Sequence, residues 1–116
     1  MRSICIFFAA VLLAGPVLAA DTLERVRDSG TFTIGYRSDA QPYSYRTAEG
    51  EAAGYIVDLC REVAEAVQQE LDLAELETAY VQVTAENRFD AVTSGQVDLL
   101  CDPTSITLGR REKVDF

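Results

Sequence analysis

One amphipathic segment, residues 56–71, restricts the fold more than any other feature of the chain. Strand-like segments lie on both sides of it: 31–36 alternates polar and apolar residues, and 76–83 is rich in β-forming residues. A strand, a helix and a second strand in this order predict two parallel strands joined by a crossover helix. The helix spacing comes from seven apolar residues, which are Ile56, Leu59, Cys60, Val63, Ala64, Val67 and Leu71.

The rest of the chain repeats the alternation of strands and helices. This order predicts an α/β fold with a mostly parallel sheet and helices on both of its faces. The other predicted elements are a helix from its cap Asp21 to Gly30, a loop or loose hairpin over 37–54, a helix from its cap Thr84 through Ser94, a strand over 97–101, a helical turn capped by Thr107 and a strand over 114–116.

Residues 1–19 are expected to be a signal peptide and not part of the fold. Arg2 makes the start cationic, and the apolar run 4–13 is too short to cross a bilayer. Gly and Pro then interrupt the run, and small residues precede a cleavage site after Ala19. The alternative is a buried N-terminal helix. We expect cleavage after Ala19, which leaves 20–116 as an exported domain with no membrane insertion.

Charge and composition argue against several functional classes. The formal net charge is −9, which disfavours nucleic acid or an anionic membrane surface as a partner. The chain has no histidine, the commonest general base and the commonest zinc ligand. We therefore predict no catalytic residue, no metal site and no cofactor.

Two cysteines, Cys60 and Cys101, remain after the expected cleavage. In an oxidising compartment an even pair predicts one disulfide. Two separate buried thiols are the alternative.

Three arginines follow the three predicted strands. Arg37 comes after the first strand, Arg88 lies in the segment after the second and Arg110 follows the third. The carboxyl ends of parallel strands meet at one rim of the sheet, where ligands bind in such folds. A planar guanidinium can donate two parallel hydrogen bonds to a carboxylate, so the cluster predicts an anion site, with a helix N-terminus before Arg110 as a further attraction. Solvated surface arginines are the alternative at all three positions.

Several motifs together resemble extracellular solute-binding proteins of family 3, in particular the glutamate/aspartate-binding proteins of amino-acid importers. The resemblance implies two α/β lobes of the type II periplasmic-binding-protein class, joined by a hinge. Residues 20–116 would be an incomplete first lobe, and we expect the second lobe to be absent. The motifs are GTFTIGYR (30–37), PYSY (42–45), GYIVDLC (54–60), NR (87–88) and VDLLCDPTSITLGRREKVDF (97–116).

The resemblance also implies roles for individual residues. The α-carboxylate of an amino acid would meet Arg110 and the backbone N–H of Ser105. The carbonyl of Pro103 and the hydroxyl of Ser105 would accept hydrogen bonds from its ammonium group. Arg37 and Arg88 would hold the side-chain carboxylate of glutamate or aspartate.

Further positions agree with that subgroup or depart from it. Cys60 and Cys101 match a cysteine pair of the subgroup, whereas Ala85 replaces a serine that contacts ligand there. The implied function is periplasmic amino-acid binding for an ATP-driven importer, with an inner-membrane ABC permease as partner and no enzymatic activity. The alternatives are a ligand-binding segment of a glutamate-receptor-like channel or sensor, and an enzyme resembling cyclohexadienyl dehydratase.

Overall fold

A computed structural model describes residues 21–116. The predicted signal peptide therefore lies outside the described residues. The elements are α1 (Thr22–Ser29), β1 (Thr31–Arg37), β2 (Asp39–Ala40), β3 (Ser44–Arg46), β4 (Ala52–Ala53), α2 (Tyr55–Glu70), β5 (Glu77–Val83), α3 (Arg88–Thr93), β6 (Leu99–Cys101) and α4 (Leu108–Arg111).

The main sheet has three parallel strands in the order β5-β1-β6. The central strand, β1, pairs with β5 along its whole length, up to Arg37 opposite Val83. On its other side Tyr36 lies opposite Cys101. The three carboxyl ends thus lie at one rim, and the predicted α/β class is confirmed.

The segment 37–54, predicted as a loop or loose hairpin, forms a small antiparallel sheet in the order β2-β3-β4. Gly54 ends this segment with φ 120°, and a Cβ at that position would lie 2.4 Å from the carbonyl oxygen of Tyr43. Only glycine fits this close approach without a shift of the backbone.

The inward face of α2 differs from the predicted one. Val57, Cys60 and Ala64 are buried, whereas Leu59 and Val63 are each 44% exposed. The helix packs on the small sheet as well as on the main one, so its buried face is rotated toward Val57 and one flank of the apolar arc remains in solvent. The predicted disulfide between Cys60 and Cys101 is present and joins α2 to the end of β6.

The start of α3 was predicted too early. Residues after Thr84 form a turn, in which the Thr84 hydroxyl accepts from the N–H groups of Glu86 and Asn87. The Asn87 side chain accepts in return from the N–H of Thr84. These local bonds compete with helical ones, and α3 begins only at Arg88.

The predicted strand over 114–116 is wrong. These residues have no strand conformation, and the N–H of Val114 donates to the carbonyl of Arg110 at the end of α4. Within the described chain no strand pairs with this segment. By contrast, the helix predicted between Asp21 and Gly30 is confirmed as α1, which ends at left-handed Gly30, although the Asp21 side chain makes no capping bond.

Candidate functional site

The rim of the main sheet brings Arg37 and Arg88 to a common partner that sequence reasoning missed. This partner is Asp102, which directly follows β6. Its Oδ2 lies 3.8 Å from Nη1 of Arg37 and 3.5 Å from Nε of Arg88. An acidic residue directly after a buried strand, at the rim where both arginines were expected, was the signal that could have identified it.

Asp102 is almost enclosed, with a side chain only 2% exposed. The Thr104 hydroxyl donates to its other carboxylate oxygen. Water screens a charge poorly in such surroundings, so this carboxylate acts strongly on both guanidinium groups.

The guanidinium nitrogens of Arg37 and Arg88 differ in their hydrogen-bond partners. Nε and Nη2 of Arg37 each lie 2.8 Å from Oδ1 of Asp39. Nη1 of Arg88 donates to the carbonyl of Ala85 at 2.8 Å. Nε of Arg88 is buried and makes no hydrogen bond within residues 21–116, because its 3.5 Å distance to Asp102 qualifies only as an ion pair.

The Phe89 ring connects the third arginine to this cluster. The guanidinium carbon of Arg88 lies 4.8 Å from the ring centroid, and that of Arg110 lies 5.6 Å from it. Both distances are within the range of cation–π contacts. The three arginines predicted from the rim argument are thus brought together, through one aspartate and one phenylalanine.

Arg110 is half-buried on α4, where the Thr107 side chain caps the helix as predicted. Its Nη1 donates to the carbonyl of Ser105 at 2.7 Å, which holds the side chain against the preceding loop. Because α4 has four residues, its dipole is small. The guanidinium therefore supplies most of the positive charge here.

The loop before α4 presents unused polar groups. Within the described residues, the N–H and hydroxyl of Ser105 and the carbonyl of Pro103 make no hydrogen bond. Pro103 and Ser105 are exposed. Two donors and two acceptors in one short loop can bind both the carboxylate and the ammonium of an amino acid.

The field of the arginines reaches the acid on the neighbouring turn. The pKa of the exposed Glu86 carboxyl is lowered, first by a hydrogen bond with Thr84 and by its own backbone N–H, and then by the positive charges of Arg37 and Arg88. The charges of the two arginines thus add to the effect of local hydrogen bonds.

A cavity of about 410 Å³ lies beside the cluster, along the edge of β6. Phe89, Asp102, Ile106 and Phe116 are among its lining residues, which include no arginine or lysine. The cavity thus adjoins the arginine cluster through Asp102 and Phe89, without contacting an arginine. Within the described part of the chain, no helix is long and apolar enough to cross a membrane, and no cluster of residues could hold a metal ion.

The family model of bacterial extracellular solute-binding proteins, family 3, matches residues 32–116. The chain belongs to this family. Its sequence is 40% identical to the L-glutamate/L-aspartate-binding protein of Pseudomonas aeruginosa, over 92% of this chain and 37% of that protein. It is 35% identical to cyclohexadienyl dehydratase from the same organism, over 90% of this chain and 37% of the enzyme.

The structural comparison agrees with the family. The solute receptor for L-cysteine of Neisseria gonorrhoeae superimposes with a TM-score of 0.71 at 30% identity, over 83% of this chain and 37% of the receptor. The fold is that of a type II periplasmic binding protein. The chain spans 37% of the length of each of these three proteins.

Proposed function

We propose that residues 20–116 are the first lobe of a periplasmic protein that binds an amino acid and delivers it to an ABC permease in the inner membrane. The observation that carries this proposal is the convergence of Arg37, Arg88 and Arg110 at one rim. Membership of the family supports the importer over a receptor-like channel or sensor.

The groups around Arg110 suit the α-carboxylate and the α-ammonium group, which all amino acids share. In this proposal Arg110 and the N–H of Ser105 bind the α-carboxylate. The carbonyl of Pro103 and the hydroxyl of Ser105 accept from the ammonium. These groups of Pro103 and Ser105 make no hydrogen bond within the described residues, which supports these roles. The polar groups of a bound ligand lose water and need such partners.

The arginine pair, Arg37 and Arg88, would face the side chain of the ligand. Two guanidinium groups at this end suit glutamate or aspartate, and the P. aeruginosa relative is named for binding those two amino acids. We therefore propose that the ligands include acidic amino acids.

Calorimetric titration tests the proposal, on the protein expressed at the full length that its gene encodes. Binding of glutamate or aspartate, with the ligand recovered unchanged, is the expected result. No detectable binding of any of the twenty amino acids would overturn it. Intact-mass measurement on periplasmic extract tests the location: cleavage after Ala19 is expected, and a retained Met1 on cytoplasmic protein contradicts it.

A dehydratase is the second candidate, favoured by the 35% identity to cyclohexadienyl dehydratase. The chain contains no histidine to act as a general base, although tyrosine, aspartate and glutamate are present. Incubation of the full-length protein with a cyclohexadienyl substrate, followed by mass spectrometry, separates the two functions. We expect the substrate to remain unchanged.

A further inference from the structure

We propose that Asp102 determines specificity: its carboxylate compensates the arginine pair from within the protein, so that the site accepts amide side chains nearly as well as acidic ones. The inference rests on the proposed function, because it concerns which amino acids reach the same site. It implies that glutamate and glutamine bind with similar affinity, and likewise aspartate and asparagine.

The first argument is the position of Asp102. One of its oxygens faces both arginines, at 3.8 Å from Arg37 and 3.5 Å from Arg88. The side-chain carboxylate of a bound glutamate would need the same two cations. The ligand carboxylate would therefore share the two arginines with the carboxylate of Asp102, and the two negative charges would repel each other.

The second argument compares the acids around the arginine pair. Asp39 also pairs with Arg37, and Glu86 lies in the field of both arginines, so three carboxylates surround two guanidinium groups. The Asp39 side chain is 68% exposed and Glu86 is also exposed, so water screens both. The Asp102 side chain is only 2% exposed, so its charge is the least screened of the three and would interact most strongly with a ligand.

The third argument is the hydrogen bond that Arg88 lacks. Its Nε is buried beyond the reach of a ligand, but its Nη2 is not buried and makes no hydrogen bond within the described chain. An amide oxygen and a carboxylate oxygen both accept from such a donor. The need for an acceptor is thus met by glutamine as well as by glutamate, while Asp102 removes most of the charge preference.

The experiment measures dissociation constants for glutamate and glutamine by calorimetry, with the full-length protein and its Asp102→Asn variant. For the wild type we expect the two constants to lie within about tenfold of each other. The variant keeps the shape of the side chain and removes its charge. We expect the preference for glutamate to rise by about tenfold or more, equivalent to about 1.4 kcal/mol.

Asp39→Asn is the matched control, because it removes an exposed carboxylate from the same arginine pair. We expect its ratio of the two constants to change by less than about threefold, since water screens that charge. Equal shifts in the two variants would overturn the role of Asp102, as would an unchanged ratio in a folded Asp102→Asn or Asp102→Ser variant.

The wild type alone gives a test that does not depend on how the variants fold. A preference for glutamate over glutamine above about a hundredfold, or 2.7 kcal/mol, would overturn the inference and leave the proposed function intact. A value between about tenfold and a hundredfold supports it only if Asp102→Asn raises it further, and otherwise counts against it. Failure to bind any amino acid would overturn the proposed function itself.

Discussion

Cys60, on the inner face of α2, is disulfide-bonded to Cys101, the residue directly before Asp102. The covalent bond therefore ties the end of β6, next to the buried carboxylate, to α2, the longest helix among residues 21–116. Cys101 also lies opposite Tyr36 on β1, one residue before Arg37. The aspartate and the first arginine thus extend from neighbouring, well-anchored strand ends.

Loss of this disulfide should destabilise the protein. The two cysteines are 41 residues apart, and a cross-link over such a loop stabilises by roughly 3–4 kcal/mol in the chain-entropy model. Urea unfolding with and without a reductant measures the difference, and the Cys60→Ala/Cys101→Ala double variant should resemble the reduced protein. The double variant also serves as a control, because the reductant should not change its stability. Two free thiols per mature chain, counted under denaturing and non-reducing conditions, would contradict the prediction.

Arg110→Ala should weaken the binding of every amino acid. In the proposed site this guanidinium meets the α-carboxylate, and removal of one partner of such a charged pair costs about 2–5 kcal/mol. Arg110→Lys should not restore binding, since a point charge cannot donate two parallel hydrogen bonds from one plane. The neighbouring Arg111 is exposed, so Arg111→Ala is the control and should bind as the wild type does. Calorimetric titration decides, and undiminished binding by Arg110→Ala would reject the assigned site.

Arg37→Ala and Arg88→Ala should distinguish acidic ligands from their amides. Each variant leaves Asp102 with one cation fewer, so the charge facing the ligand side chain becomes more negative. We expect glutamate to lose about tenfold more affinity than glutamine, roughly 1.4 kcal/mol. Arg27→Ala, an exposed change on α1, should affect neither ligand. Equal losses for glutamate and glutamine at both positions would show that the arginine pair does not face the ligand side chain.

The Glu86 carboxyl should titrate below the ordinary value of 4.5. Because its folded-state pKa is lowered, its contribution to stability is present above the unfolded-state pKa and is lost as the pH falls through the folded-state pKa. Thr84→Val should raise this pKa most, since the hydrogen bond with Thr84 is the largest cause, and Arg88→Ala should raise it less. An NMR titration of the Glu86 side chain measures both effects. Thr93→Val, a change elsewhere on α3, is the control, and an unchanged pKa in Thr84→Val would contradict the prediction.

The sequence was sufficient for the order of the main-sheet strands and the helices, and for the rim. Helical spacing over 56–71 and strand-like segments on both sides of it determined the parallel sheet, and the rim argument placed Arg37, Arg88 and Arg110 together. These inferences succeed because the side-chain periods of helices and strands are local properties of the chain. The disulfide could also be predicted, because an even pair of cysteines in a domain that is expected to be exported has few alternatives.

Only the tertiary structure decided what lies between the arginines. The carboxylate that Arg37 and Arg88 share belongs to Asp102, which is remote from Arg37 in the sequence. Which face of α2 is buried was likewise decided by its packing on both sheets, which leaves Leu59 and Val63 in solvent. The strand predicted over 114–116 does not form, because within residues 21–116 no neighbouring strand completes its backbone hydrogen bonds. Periodicity specifies each element, but pairing and burial depend on contacts between distant parts of the chain.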